Sequence, residues 1–274
     1  MAVAERTIAE TPAPVQPPRR QWLLRAYTYL VIGYLFVPIV VMIVFGFNDY
    51  RPDRFNLVLK RPTLEWWRTL FVEPDLVDAL KNSFVVAALS TLVATILGTM
   101  IALALSRFRF KLRGALNLFI FLPMSSPEIV LGVALLSMFV TIGIDRGFLT
   151  IVIAHIMFSI SYVVVTVKAR TSMFDLNLED AAQDLGADRW TTFWTVTFPL
   201  IFPAILAGAL LAFVLSIDDY VITTFNAGGT ITFPLWIYGV SRFGVPPQVN
   251  VMGTILFLIG IIYVIVALRR AQKN

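Results

Sequence analysis

The side chains with most chemical capacity are three acids set inside apolar sequence: Glu128, and the adjacent pair Asp218 and Asp219, which Tyr220 follows. An ionisable side chain at mid-bilayer costs on the order of 2.5–3.5 kcal/mol on insertion scales, so it usually faces a pathway or a partner. Neighbouring positions on a helix point about 100° apart, so the two aspartates cannot share one groove. Two close carboxylates also repel, which favours a nearby cation. The chemistry on offer is therefore the holding and passing of a cation. Blander roles stay open: Asp218 and Asp219 as solvated markers of a helix end, and Glu128 as a helix-start residue beside Pro127. His155 is lone on an apolar run and reads as a hydrogen-bonded packing residue. The chain has no cysteine and one histidine, which excludes disulfides, thiolate or multi-histidine metal sites and a cysteine nucleophile. It has no G-x-x-x-x-G-K-[ST] phosphate loop, and no catalytic residue, cofactor site or metal site is assigned.

The elements that must hold these acids are membrane spans. Hydrophobic residues make up 58% of the 274 and charged residues 14%, with a mean hydropathy of +0.80. A soluble domain carries roughly 45–50% apolar and about 25% charged residues. A span needs about 20 mainly apolar residues, and six segments qualify: 27–47, 83–106, 115–142, 148–167, 200–225 and 251–268. The first is too long an apolar run for a secretion signal and lacks a small-residue cleavage site. Glu128 lies about 21 Å along its helix from Arg113, well inside span three. Pro123 and Pro127 favour a kink there, and Ser125 and Ser126 can satisfy the freed carbonyls. With six spans, fourteen of the 22 basic residues fall on one side. By the positive-inside tendency that side, which carries both termini, is the cytoplasm. The formal charge of +5 therefore marks cytoplasmic loops and lipid contact, with no nucleic acid implied.

Between spans four and five the periodicity changes. Asn177 can cap a helix with Glu179 and Asp180 at its positive end. Ala181, Ala182 and Leu185 form a narrow smooth face. Gly186 supplies a left-handed residue that stops the helix. Asp188 can cap a second short helix carrying Trp190, Phe193 and Trp194, until Pro199 starts span five.

The order Asp180-Ala181-Ala182, three residues, Gly186, nine residues, then Val196-Thr197-Phe198-Pro199 resembles the EAA loop of ABC importer permeases. Ala181, Ala182, Gly186 and Pro199 match outright; Asp180 replaces the usual glutamate, and Glu179 sits one position early. Further along, the Leu215–Ile222 stretch L-S-I-D-D-Y-V-I looks like a segment of spermidine/putrescine permeases. Segments similar to theirs also occur at 126–130, 234–238, 244–250 and 254–256. The likeness covers most of the chain from Asn82 onward and fits the second permease subunit.

That resemblance implies an all-α integral membrane protein of the type I ABC importer permease fold, with six transmembrane helices and a cytoplasmic coupling helix-turn-helix. Residues 1–25 are expected to be a disordered cytoplasmic tail, 26–270 the permease domain with its coupling loop at 176–198, and 271–274 a cytoplasmic C-terminal tail. The coupling helix would sit in a cleft of an ATPase, so ATP and Mg are held in partner subunits and the chain is not itself an enzyme. The implied assembly has a second, homologous permease, two cytosolic ABC ATPase subunits and an extracytoplasmic solute-binding protein, in the bacterial inner membrane. The implied cargo is a polyamine, with Asp219, Asp218, Glu128 and Tyr220 on its path and Trp236 and Tyr238 as aromatic lining. An ABC permease for a sugar, thiamine, iron or an anion, or an ion-gradient-driven transporter, are the alternatives.

Overall fold

The long apolar runs become helices because hydrocarbon offers backbone groups no partner, and a helix satisfies them within one segment. The structure, a computed structural model, describes residues 18–49, 59–173, 175 and 177–271. Of the tails expected at 1–25 and 271–274, residues 1–17 and 272–274 lie outside the described residues, as does part of the long first loop at 50–58, whereas 18–25, expected to be disordered, form the start of a helix and Ala271 ends one. The helices are α1 (Pro18–Gly46), α2 (Glu65–Arg68), α3 (Pro74–Arg107), α4 (Arg113–Ser125), α5 (Glu128–Thr141) and α6 (Phe148–Ser172). They continue with α7 (Asn177–Asp184), α8 (Arg189–Thr192), a π turn (Phe193–Thr197), α9 (Phe198–Ile217), α10 (Val221–Asn226), α11 (Phe233–Ser241) and α12 (Pro247–Ala271). Among the described residues there is no strand beyond one isolated bridge, Asn48 to Pro62.

Among the described residues four helices are long and apolar enough to cross a bilayer: Trp22–Gly46, Pro74–Arg107, Phe148–Ser172 and Arg189–Ile217. The third expected span departs from a continuous helix. It is α4 plus α5, bent by 111°. Ser126, the residue before Pro127, is extended at φ −84°, ψ 142°, as the clash with a following proline ring requires. Ser126 Oγ donates to Leu122 O at 2.7 Å and Ser125 Oγ to Phe121 O at 3.1 Å, whereas the carbonyls that lose a partner to Pro123 and Pro127 are those of Phe119 and Pro123, so these serines do not make the rescue the sequence suggests. The fifth expected span also differs: α9 stops at Ile217 and α10 is a separate short helix. At its other end Pro199 starts nothing new. The helix runs from Arg189 through the π turn into α9, and that wide turn precedes the proline, whose ring and missing N–H disrupt a regular ladder. The sixth expected span is α12, 25 residues long, or about 37 Å of helix.

The chain divides into two compact units, 1–70 with 246–274, and 71–245. In the first, α1 packs along α12, with Phe36 and Phe257 edge to face at 6.4 Å. The end of α1 is capped by tryptophans: Trp67 Nε1 donates to Gly46 O at 3.0 Å and Trp66 Nε1 to Asn48 O at 2.9 Å.

The second unit is built on α3, α6 and α9, each packed on the other two. Lipid tails are as apolar as leucine, so close backbone approach rather than hydrophobic segregation must hold such helices together. On α3 the small residues Ser90, Ala94, Gly98 and Ala102 recur every fourth position and are all buried. A Cβ on Gly98 would come within 2.8 Å of the Val163 side chain of α6, and one on Gly208 of α9 within 3.4 Å of Val163 Cα. Val163, Val164, Val167, Leu105 and Ala212 fill the seam. The helix ends Arg107, Ser172 and Arg189 gather at the end that carries α7.

Candidate functional site: an acid cluster and a helix-turn-helix module

The acids converge where two helices break. Ile217 is about 30 Å up α9 from Phe198, His155 about 25 Å up α6 from Ser172, and Glu128 about 20 Å up from Arg113. Glu128 opens α5, exposed at a helix N-terminus that favours its charge. Asp218 caps the C-terminal end of α9 and is exposed. Asp219 turns the other way, its side chain only 5% accessible. Glu128 lies within electrostatic reach of both aspartates, Asp218 within reach of Asp219, and Tyr162 of α6 within reach of Glu128. The inference that the aspartates face different surroundings therefore holds, although the reason is a break between helices and not 100° of helical turn.

Asp219 restarts the chain as α10. Its carboxylate accepts from Thr223 N at 2.8 Å, Ile222 N at 3.3 Å and Thr223 Oγ1 at 2.7 Å. His155 Nε2 lies 3.2 Å from Asp219 Oδ2 and 2.9 Å from Thr223 Oγ1. The Thr223 hydroxyl hydrogen is committed to Asp219, so Nε2 carries the ring proton and donates. In the neutral ring Nδ1 then accepts from Ser216 Oγ at 2.7 Å, and Ser216 pairs with Ser90 Oγ of α3 at 3.0 Å. One buried polar chain thus ties α3, α9, α6 and α10 together. His155 is hydrogen-bonded as expected of a packing residue, but the acid it serves was not foreseen. The missed members Ser216 and Thr223 flank Asp219 at three and four positions, a one-face helical spacing that was present in the sequence.

The aromatic residues divide as well. Tyr220 and Tyr238 stack with ring centroids 4.6 Å apart, and Arg242 Cζ lies 5.1 Å from the Tyr238 ring centre. Trp236, two positions before Tyr238 on α11 and half-buried, points about 200° away from it. Behind them α5 packs on α10: Asn226 Nδ2 donates to Gly132 O at 3.3 Å, and a Cβ on Gly132 would come within 2.7 Å of Phe225.

At the other end, α7 forms with its sequence-assigned stop. Gly186 has φ +94°, Ala187 N donates to Ala182 O at 3.1 Å and Gly186 N to Gln183 O at 2.9 Å, a paired closure that ends helices at a left-handed glycine. The start differs from expectation: Asp175 Oδ1 accepts from Asn177 N at 3.0 Å, and Asn177 is already helical. Asp188 does cap the next helix, accepting from Thr191 N at 3.0 Å. Those hydrogen bonds from Thr191 hold its carboxyl below the usual value of 3.8.

The faces of α7 are now distinct. Leu178, Asp180, Ala181 and Leu185 are exposed, Leu185 at 91%. Ala182 and Glu179 turn inward. Glu179 pairs with Arg107 at the end of α3 and accepts from Thr197 Oγ1 in the π turn, while Arg107 Nη2 also donates to Thr197 Oγ1 at 3.3 Å. Of the two acids at the start of the module, Glu179 is the anchor and Asp180 is the outward one. Trp190 and Trp194 meet edge to face at 5.7 Å, and Trp194, Phe198 and Phe202 continue as an aromatic row up the helix. Pro199 is exposed, at the second position of α9.

Residues 94–272 match the family profile described as binding-protein-dependent transport system inner membrane component. The chain is 35% identical to the spermidine/putrescine transport system permease protein PotC of Haemophilus influenzae, over 93% of this chain and 98% of that one. It is 37% identical to PotC of Escherichia coli K12, over 86% and 88%, and 34% identical to the putrescine permease PotI of the same organism, over 89% and 91%. Among solved structures, a bacterial ABC transporter that imports the acidic polysaccharide alginate superposes with a TM-score of 0.65 at 17% identity, over 95% of this chain and 99% of that one. The alginate transporter in complex with its pentasaccharide-bound periplasmic protein gives 0.66 at 19%, over 93% and 97%. At such identities these two structures speak for the fold alone.

Proposed function

This chain belongs to the family of binding-protein-dependent transport inner membrane components, and from that premise we propose that it is the second permease subunit of an ATP-driven polyamine importer. The observation that carries the cargo is its similarity, over nearly full length, to permeases named for spermidine and putrescine. The geometry supports a cation path. Asp218 and Glu128 are exposed acids at two adjacent helix breaks, with the Tyr220–Tyr238 stack beside them. Flexible polycations want such carboxylates and aromatic faces. Asp219 belongs to the same path, acting from behind by holding the break that presents Asp218 and Tyr220. Trp236 stands on the opposite face of α11 from the tyrosine stack and is left out of this path.

The partners follow from the same reading: a related permease to complete the path, two cytosolic ATPase subunits that bind ATP and Mg, and an extracytoplasmic binding protein that delivers the cargo. Both termini and α7 face the cytoplasm. The exposed Leu178, Ala181 and Leu185 enter an ATPase cleft, Asp180 lies at its rim, and Gly186 sets the angle of the module. Nucleotide closes the ATPase pair and draws the docking helices together. The stroke passes through Glu179 and Arg107 to α3 and through the π turn to α9, and the path opens outward to receive cargo. Hydrolysis restores the inward state.

The test is uptake competition in cells expressing the complete transporter, with putrescine, spermidine, thiamine and a neutral sugar. Labelled polyamine uptake should be displaced by polyamines alone, and Asp218→Asn with Glu128→Gln should abolish it while the chain still inserts. Full uptake by that double variant, or competition by the sugar, sinks the cargo assignment. Gly186→Trp should insert normally yet fail to co-purify with the ATPase; an intact complex would sink the docking role.

A further inference from the structure

The α7 end of the second unit holds a partly enclosed cavity of about 180 Å³ whose wall carries Arg107, Arg113, Lys168 and the hydroxyls of Ser106, Thr171 and Thr197. The cations come from three helices: the last residue of α3, the first of α4, and the last turns of α6. Arg107 and Lys168 stand at helix C-terminal ends, where a positive charge is favoured. Arg113 stands at an N-terminus, where it is disfavoured. Lys168 Nζ donates to Asn117 Oδ1 at 2.7 Å, and Arg107 is held by Glu179. The Arg113 guanidinium has no ion pair or hydrogen bond among the described residues. Three cations therefore ring a space with one carboxylate, Glu179, at its edge. The space exceeds the roughly 30 Å³ share of one water; the single hydrogens of Thr197, Ser106 and Thr171 are spent on Glu179, Ala102 O and Lys168 O, so the donors left for an occupant are the cations.

We propose that this cavity binds a phosphate-bearing anion, supplied in the bilayer by the head group of an anionic phospholipid, with Arg113 and Lys168 as its principal ligands. An anion there reverses the unfavourable placement of Arg113 and relieves the repulsion among the three cations. Guanidinium and ammonium donors make charge-assisted bonds to phosphate oxygens, and basic pockets between transmembrane helices are sites where anionic head groups bind. Arg107 is shared with Glu179, so the occupant also bears on how α7 is fastened to α3. The binding itself is independent of the cargo and of the docking role.

The test uses the full-length chain in neutral detergent, titrated with phosphatidylglycerol and, separately, phosphatidylcholine of the same acyl chains, with occupancy read by native mass spectrometry. Phosphatidylglycerol should be retained in preference. Arg113→Gln with Lys168→Gln should weaken it about tenfold or more, as expected for losing charge-assisted bonds. The charge-keeping pair Arg113→Lys with Lys168→Arg should retain it, which separates charge from folding. Arg109→Gln with Lys111→Gln, exposed cations outside the cavity wall, should leave it unchanged. Equal retention of phosphatidylcholine, equal loss in the exposed pair, or no loss in the cavity pair overturns the site. Displacement by inorganic phosphate assigns the cavity to a free anion, and persistence assigns it to the head group; either keeps the phosphate chemistry.

Discussion

The pairing of His155 with Asp219 makes a quantitative demand on stability that Asp218 does not share. Asp219→Asn keeps the shape and one carbonyl oxygen for the Thr223 N–H, but removes the charge and sets an amide donor near the Nε2 proton of His155. Charge-assisted hydrogen bonds contribute about 1.5–3 kcal/mol each, and breaking a buried pair by removing one partner costs about 3–5 kcal/mol. Asparagine retains some of the acceptors, so roughly 2–4 kcal/mol is expected. His155→Ala leaves Asp219 its three bonds from Ile222 and Thr223, so its electrostatic loss is about one such bond, plus the volume of the ring. Because the two changes destroy one interaction, the double variant should be more stable than additivity predicts, by about 1–3 kcal/mol. Asp218→Asn, exposed at a helix end, should fall within about 0.5 kcal/mol of the parent. Reversible unfolding in mixed micelles with rising dodecyl sulfate, followed by tryptophan fluorescence, measures all four. A coupling within about 0.5 kcal/mol of zero, or Asp218→Asn as damaging as Asp219→Asn, would refute the division of labour between the two aspartates.

Other outcomes follow from the same geometry. Glu179→Gln should lower transport per ATP hydrolysed in reconstituted vesicles while the complex stays assembled, whereas Asp180→Asn should keep that ratio; the reverse order would place the strut on the wrong acid. Gly98→Ala should cost about 1–3 kcal/mol by overpacking against Val163, with Val163→Ala restoring part of it, measured by the same micelle unfolding. The Asp188 carboxyl is held below 3.8, so its capping is in force above that value and is lost only as pH falls through the lowered one. ATPase coupling should therefore show no Asp188-dependent step between about pH 5 and 8, and Asp188→Asn should behave as the parent while Asp188→Ala disorders α8 by hydrogen exchange.

The helical architecture was legible because hydrocarbon leaves the backbone few options, and the α7–α8 turn because Gly186 and Asp188 state its stop and restart locally. What escaped were features that depend on contact between distant segments. The sequence marks Pro127 as a kink, but the size of the bend depends on where α5 finds α10. The break after Ile217 carries no proline at all; it arises because the Asp219 carboxylate takes the N–H groups of Ile222 and Thr223. His155 and Asp219 lie in separate spans, and Arg107 and Glu179 are joined only by the folded second unit. In each of these pairs one residue looked ordinary until its partner was known.

The contact at Gly98 has a topological implication for any solute that crosses here. Where a missing side chain lets α3 and α6 touch through Val163, and Gly208 brings α9 against the same residue, the interior of the trio is a solid post with no lumen. In the proposed importer, cargo therefore travels along the outside of that post, past the broken helices α5 and α10. On that proposal the trio furnishes one bank of the conduit and the related permease the facing one.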